Sequence, residues 1–227
     1  MKKNIVSTIV VLLIHTVVFG QISTRENPIS FEREVPILER SERTMRSFAP
    51  LDLERLRQED KETRAHGMPP RFGYRHRVNY NLENSGEWTV LENGDKLWRM
   101  SIYCADAVSI NLLYDKFWVP DGAKFFIYSN DRRQNIGAFT SENNRGSREA
   151  PDKFATGLIH SNHIILEYFL PENVRENGII SIEYVVHGYR HILLSENSDV
   201  SRLPEGTYYL HIEANGQTRR EQIIIKR

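Results

Sequence analysis

The feature that most constrains this sequence is a period of two in its apolar residues between positions 74 and 192. Trp98, Met100 and Ile102 alternate with Arg99 and Ser101. Similar runs cover residues 108–114, 164–170 and 180–186. Turn-forming segments such as LENGDK and VPDGAK separate the runs, and this pattern is typical of short strands buried on one face. The sequence therefore predicts seven to nine strands in a mainly β fold, an antiparallel jelly-roll-like sandwich over residues 74–192.

Residues 21–73 lack this alternation and are dense in arginine and glutamate, as in FEREVPILERSERTMRSF. Such a composition predicts a charged arm that is extended or mobile. Within it, residues 52–64 place Leu53 and Leu56 on one side and acidic residues in the first turn, which predicts a short helix that stops near Gly67.

The chain begins with MKKNIVSTIVVLLIHTVVFGQ, in which two lysines precede an apolar stretch that ends at a small residue. This pattern predicts a secretory signal peptide over residues 1–20, with cleavage between Gly20 and Gln21. The stretch is too short for a spanning helix, so no transmembrane anchor is expected. We expect the protein to be secreted or held at the cell surface after passing through the periplasm.

Charge and cysteine content narrow the function classes further. Thirty basic residues balance thirty acidic ones, so no overall positive charge favours nucleic acid as a partner. Cys104 is the single cysteine and cannot form an internal disulfide, and a free cysteine in a strand is typically a small buried apolar residue.

The C-terminal segment LPEGTYYLHIEANGQTRREQIIIKR predicts a β-hairpin. Asn215-Gly216 suits a two-residue type I′ turn, and apolar residues alternate on both sides of it. A hairpin of this length is marginally stable alone, so it is expected to dock on another surface. Residues 193–202 form a linker that leads to it.

Three segments together carry a resemblance that covers residues 51–191. They are SGEW…NGDKLWR at residues 85–99, VPDGAKFFIYS, and HGYR at residues 187–190. In combination they resemble the pro-region that precedes the catalytic domain of secreted lysyl endopeptidase-like, trypsin-type serine peptidases. The resemblance implies a domain that assists folding of a peptidase and holds it inactive until cleaved. The family's Gly-Asp-Ser-Gly-Gly and Ala-Ala-His-Cys segments do not occur in the sequence, so the catalytic domain is expected to be absent and the chain not to be an enzyme.

The tail, residues 203–227, resembles the last strands of the C-terminal sorting domain of the type IX (Por) secretion system of Bacteroidetes, in a shortened form. The residues that match the pattern are Leu203, Pro204, Gly206, Tyr208, Ile212, Gly216, Ile223 and Lys226. The resemblance implies that the hairpin is a sorting signal and that an outer-membrane translocon is a partner. A trypsin-type peptidase domain is the second expected partner.

Other residues admit a chemical interpretation, and for each we favour a structural one. His160, His163, His187 and His191 could bind zinc with Glu167, but residues three apart on a strand point to opposite faces. Exposed tryptophans on a sandwich can stack on sugars; Trp98 is expected in the core, whereas Trp88 and Trp118 are less constrained. Asp121 and Asp131 could bind calcium, but aspartate commonly bonds the turn backbone. No catalytic, metal or cofactor residue is therefore predicted.

The sequence thus favours a non-catalytic secreted pro-domain with a sorting signal. The charged arm suits a contact with a peptidase through complementary charges, which proteolysis can later remove. Arg40, Arg43 and Arg46 are candidate points of contact or processing. The alternative is an extracellular module that binds carbohydrate or another surface through the sandwich.

Overall fold

A computed structural model describes residues 26–65 and 71–190, together with the backbone of two C-terminal strands. The strands are β1 (Met45–Phe48), β2 (Gly73–Asn81), β3 (Glu87–Val90), β4 (Lys96–Cys104), β5 (Ser109–Trp118), β6 (Lys124–Ser129), β7 (Asn135–Phe139), β8 (Phe154–Ala155), β9 (His163–Leu170), β10 (Ile179–Gly188), β11 (Gly206–Ala214) and β12 (Gln217–Ile225). The helices are the single turn α1 (Ile29–Glu32) and α2 (Leu53–Ala65), and a 3₁₀ turn spans Ser141–Asn143. No helix among the described residues is both long and apolar enough to span a bilayer.

The first 20 residues and the linker predicted at 193–202 lie outside the described residues, as do Gly20, Gln21, Leu203, Pro204, Gly216 and Lys226.

The strand order is that of a jelly roll. One sheet has the order β1-β4-β9-β6-β7, with β3 also paired to β4, and the other has the order β2-β10-β5-β8. When β1 and β3 are set aside, eight strands remain, and they form four nested antiparallel pairs. These pairs are β2 with β10, β4 with β9, β5 with β8 and β6 with β7. A ribbon of four antiparallel pairs folded in this way is a double-sheet jelly roll. The predicted fold class is confirmed.

The core lies between the two sheets and is built from the residues that alternate in the sequence. Trp98, Met100 and Ile102 of β4 meet Leu112 and Tyr114 of β5 in one buried cluster. Each large apolar side chain buried in this way contributes about 1.5–3 kcal/mol. The period of two therefore sets the inward face of β4, whereas irregularities in β5 and β10 change the phase so that Phe117 and Val185 also face the core.

The boundary predicted at residue 74 is wrong in one respect, because part of the arm belongs to the sandwich. Met45–Phe48 pairs in parallel with residues 101–104 of β4 and forms an edge strand of the six-stranded sheet. The sequence MRSF is too short to show a period of two, and its pairing partner lies more than 50 residues away in the chain. The predicted helix at 52–64 is confirmed, displaced by one residue.

Asp60 fastens α2 to the place where β2 begins and β10 ends, which lie side by side in the four-stranded sheet. Its carboxylate is 3% exposed and accepts hydrogen bonds from Arg71 Nε at 2.8 Å, Tyr189 Oη at 2.9 Å and Arg190 Nη2 at 2.6 Å. Burial alone would raise the pKa of Asp60, but the bonds from Arg71 and Tyr189 and the charge of Arg190 lower it below the ordinary value. One carboxylate on the helix therefore holds Arg71, two residues before β2, and Tyr189 and Arg190, directly after β10.

The predicted C-terminal hairpin is confirmed. β11 and β12 run antiparallel, and Ala214 pairs with Gln217, so that only Asn215-Gly216 connects them. Among the described strands, these two pair with each other and with no other strand.

Candidate functional site

The outer face of the six-stranded sheet is covered by the leading part of the arm. Glu167 of β9, Tyr128 of β6 and Arg99 of β4 point away from the core, yet they are 0%, 3% and 7% exposed. The backbone N–H of Ser30 donates to Glu167 Oε1 at 3.2 Å, and Arg99 Nη2 donates to the carbonyl of Pro36 at 2.6 Å. Residues 26–44, the covering segment, therefore lie across three neighbouring strands.

A hydrogen-bonded group of three residues anchors this segment. The Tyr128 hydroxyl donates to Glu167 Oε2 at 3.1 Å and lies 3.0 Å from Ser30 Oγ. Burial and the charge of Glu167 raise the pKa of Tyr128, so the hydroxyl keeps its proton and acts as a donor. Glu167, which the sequence offered as a metal ligand, is engaged in holding the covering segment.

Between the covering segment and the sheet lies a cavity of about 360 Å³, the covered cavity. Residues 35–40, here called the strap, form its roof, and Pro36, Ile37, Glu39 and Arg40 of the strap are exposed to solvent. Arg99, Ser101 and His163 line the sheet side of the cavity. The sequence analysis did not find this site, although arginine and serine at the outward positions of a strand of buried residues were a usable signal.

Ser101 and His163 form a close pair in the cavity. Ser101 Oγ lies 2.6 Å from His163 Nε2. Burial, with a smaller contribution from the charge of Arg40, lowers the pKa of His163 below its ordinary value, which favours the neutral imidazole. A serine nucleophile also requires a carboxylate that orients the base. In the part of the chain that the structure describes, no carboxylate bonds His163, whose ring instead meets the Tyr103 ring edge-on at 5.8 Å.

The histidines considered for zinc do not come together. His163 lies on β9 of the six-stranded sheet, and His187 lies on β10 of the four-stranded sheet. His160 is exposed, and His191 lies outside the described residues. Within residues 26–65 and 71–190, no group of three or more His, Cys, Asp or Glu side chains is arranged to hold a metal ion.

A second histidine pair was missed by the sequence analysis. His76 Nε2 lies 3.3 Å from His187 Nδ1, and the Phe48 ring stacks on His76 with centroids 4.3 Å apart. Burial, and then the neighbouring His76, lowers the pKa of His187 to about 4, and burial lowers the pKa of His76 as well. His76 lies in step with Val78, and this periodicity was the available signal for it. His187 faces inward with Val185 only because the register of β10 shifts between Ile182 and Tyr184, which the alternation did not predict.

Cys104 and the tryptophans occupy mainly structural positions. Cys104 is fully buried at the end of β4, as predicted, and burial raises the pKa of its thiol to about 12. Trp98 is in the core, as predicted, and its Nε1 donates to the carbonyl of Ser85 at 2.7 Å. Trp88 packs against the same core. Trp118 remains partly exposed, with the Arg148 guanidinium 5.7 Å from its ring centroid.

The two aspartates considered for calcium take part in local hydrogen bonds. Asp131 Oδ1 accepts from Ser129 Oγ at 2.6 Å and from the backbone N–H of Arg133 at 3.1 Å, which confirms the turn interpretation. Asp121 Oδ1 accepts from Ser141 Oγ at 3.3 Å.

The three arginines proposed as contact points differ in their surroundings. Arg43 donates to the carbonyls of Gly86 at 2.9 Å and Glu83 at 2.7 Å, and the guanidinium of Arg46, half-buried in β1, lies 4.9 Å from the Tyr80 ring centroid. Arg40 is exposed at the end of the strap. Of the three, only Arg40 lies outside strands and turns on an exposed segment.

The sorting-signal residues that the structure describes lie in the hairpin. Gly206, Tyr208 and Ile212 belong to β11 and Ile223 to β12, and Tyr208 is directly opposite Ile223 in the register.

Comparison with known proteins assigns no family. No protein-family model matches the chain, and no solved structure matches it significantly.

Proposed function

We propose that this protein is a non-catalytic, secreted domain that binds a trypsin-type peptidase specific for basic residues, in the manner of the pro-regions it resembles. The observation that carries the proposal is the strap. It presents Arg40 on a segment without helix, strand or turn, three residues after Ile37, whose side chain is 90% exposed. Exposed segments of this kind are the preferred sites of cleavage by peptidases, so the strap is suited to such a contact.

The surrounding contacts support a segment that is held at both ends and can be cut between them. On one side, Ser30 bonds Glu167 and Tyr128; on the other, Arg43 bonds the β2–β3 connection. A segment fastened in this way keeps one conformation, which lowers the entropy cost of binding to a peptidase.

The test is inhibition and cleavage by a trypsin-type peptidase. We expect the purified protein to slow hydrolysis of a lysyl or arginyl reporter peptide and to be cut after Arg40 before Arg43 or Arg46. Arg40→Gln should weaken inhibition about tenfold or more, since the specificity pocket would lose its basic side chain. Arg133→Gln removes an exposed arginine from the β6–β7 turn and is the matched control. Equal inhibition by Arg40→Gln and the wild type, or no inhibition by the wild type, would refute the proposal.

We further propose that the C-terminal hairpin is a type IX sorting signal, which would take the protein through the periplasm to the cell surface or the medium. The hairpin pairs with no other described strand, so its removal breaks no described strand pairing of the sandwich. Deleting residues 203–227 should leave the sandwich folded and cause the protein to accumulate in the periplasm of a type IX-competent host.

A single substitution in the turn refines this test. Gly216→Val should also abolish export, because a β-branched residue resists the positive φ that a type I′ turn requires. Export of Gly216→Val at the wild-type level would count against the sorting signal, whereas an unchanged melting temperature with lost export would support it.

A further inference from the structure

The covered cavity has a marked imbalance of charge. Arg40, Arg99 and Arg132 line it, together with His163. Glu39 is the one carboxylate among the residues that line it, and none of the three guanidiniums has a described carboxylate oxygen within 4.0 Å. With the buried carboxylate of Glu167, which bonds the lining residue Tyr128, three guanidiniums face two carboxylates, so an anion in this space would be favoured.

Arg99 is the most unusual member of this set. It is 7% exposed, its Nη2 bonds the Pro36 carbonyl, and its buried Nε has no hydrogen-bond partner among the described residues. Glu167 is directly opposite in the register and places one buried carboxylate near Arg99, although the two form no ion pair within 4.0 Å. A buried donor such as the Arg99 Nε–H is costly unless an acceptor is supplied to it.

Arg132 adds an exposed guanidinium to the edge of the cavity. Its φ is 60°, in the left-handed region that glycine or asparagine occupies more readily. The Arg132 guanidinium lies 5.0 Å from the Phe31 ring centroid and at the edge of the covered cavity. The side chain therefore adds positive charge at this edge, and glycine would fit the position without backbone strain.

From these observations we propose that the covered cavity is a binding site for a small organic anion. Its carboxylate or phosphate group would be held by Arg99 and the Ser101–His163 pair, with Arg40 and Arg132 closing the site from the roof and the edge. Guanidinium groups bind planar and tetrahedral oxyanions through paired hydrogen bonds.

Size and apolar lining favour an organic anion over a bare inorganic one. Val35, Leu38, Met45 and Ile165 also line the cavity. A volume of about 360 Å³ is at the lower end of the range for small-molecule sites and leaves room beyond one oxyanion group. The body of the ligand would contact these four side chains.

The test is a titration with matched probes: phenylacetate, its neutral analogue phenylacetamide, acetate and inorganic phosphate. Binding is measured by calorimetry and by the side-chain Nε–H resonances of the arginines in NMR spectra. Phenylacetate should bind more tightly than acetate, and phenylacetamide should bind at least about tenfold more weakly, because it lacks the charge. If phosphate binds and phenylacetate binds no more tightly than acetate, the site is one for an inorganic anion. That result would refute the proposal of an organic ligand.

Two variants with a control keep the test independent of folding defects. Arg99→Gln should lower the affinity about tenfold or more, and Arg132→Gly about three- to fivefold, since Arg132 is exposed to solvent. Arg132→Gly also suits the left-handed backbone, so the variant should fold at least as well as the wild type. Arg133→Gln removes the same charge from the same turn but does not line the cavity.

The expected pattern is a loss of affinity in both cavity variants and none in Arg133→Gln. Equal losses in Arg132→Gly and Arg133→Gln would indicate a general effect of surface charge and would overturn the site. Binding of phenylacetate weaker than about 10 mM, or equal binding of phenylacetate and phenylacetamide, would also overturn it. This result is separate from peptidase inhibition, which is measured without the probes.

Discussion

Acidification from about pH 7 to about pH 5 should destabilise the sandwich through buried His187 and its partly buried neighbour His76. The pKa of His187 falls from an ordinary value of 6.5 to about 4 in the folded protein, because burial and the adjacent His76 disfavour the imidazolium. Below pH 6.5 the unfolded chain therefore binds more protons than the folded one. The stabilisation that comes from keeping His187 neutral is complete above about pH 6.5 and is lost as the pH falls towards 4.

The size of the effect follows from the two pKa values of His187. The proton-binding difference corresponds to a loss of about 2 kcal/mol between pH 7 and pH 5, and of about 3 kcal/mol by pH 4. The lowered pKa of His76 adds to the loss. Asp60 and Asp95 act at lower pH, because their pKa values lie below 3.8 and their contributions are lost only as the pH falls through that range.

The assay is urea unfolding followed by tryptophan fluorescence at several pH values above about pH 5. His187→Gln should be less stable than the wild type at neutral pH but should lose about 2 kcal/mol less on acidification. His160→Gln, which removes an exposed histidine, should keep the wild-type pH dependence. A wild-type stability that does not change between pH 7 and pH 5, or the same slope in His187→Gln, would refute the reasoning.

Three further substitutions or measurements test the packing. Asp60→Asn should lower the free energy of unfolding by about 2 kcal/mol, because the guanidiniums of Arg71 and Arg190 lose their carboxylate. Glu54→Gln, on the exposed side of the same helix, should have little effect. Equal stabilities of the two variants would contradict the role of Asp60. Gly86→Ala should cost more than about 2 kcal/mol, since its φ is +70° and the added Cβ would lie 2.5 Å from the indole ring of the core. Gly122→Ala should lower the free energy of unfolding by only about 1 kcal/mol, because its φ is +83° but the added Cβ would lie 3.3 Å from the nearest atom. Similar losses of stability in Gly86→Ala and Gly122→Ala would contradict the steric argument. The Cys104 thiol should resist a disulfide reagent at about pH 8 in the native protein and react after unfolding, whereas rapid native labelling would show that the strand end opens.

The burial of the candidate site could not be predicted from the sequence. Arg99 and Ser101 could be placed on β4 from the alternation alone, and the alternation assigned them to the solvent side of the sandwich. The structure buries them, because the Ser30 N–H reaches Glu167 across a separation of 137 residues. The Ser101–His163 contact spans 62 residues. No periodic signal links positions so far apart.

What the sequence determined by itself is local. The period of two predicted the strands and the inward position of Trp98, first-turn charges predicted α2, and Asn215-Gly216 predicted the hairpin, because each depends on residues close together in the chain. Tertiary structure alone decided that β1 joins the six-stranded sheet, that Asp60 fastens α2, and that residues 26–44 enclose a cationic cavity. These features depend on hydrogen bonds and charges between distant segments, and such contacts exist only once the core has brought the two sheets together.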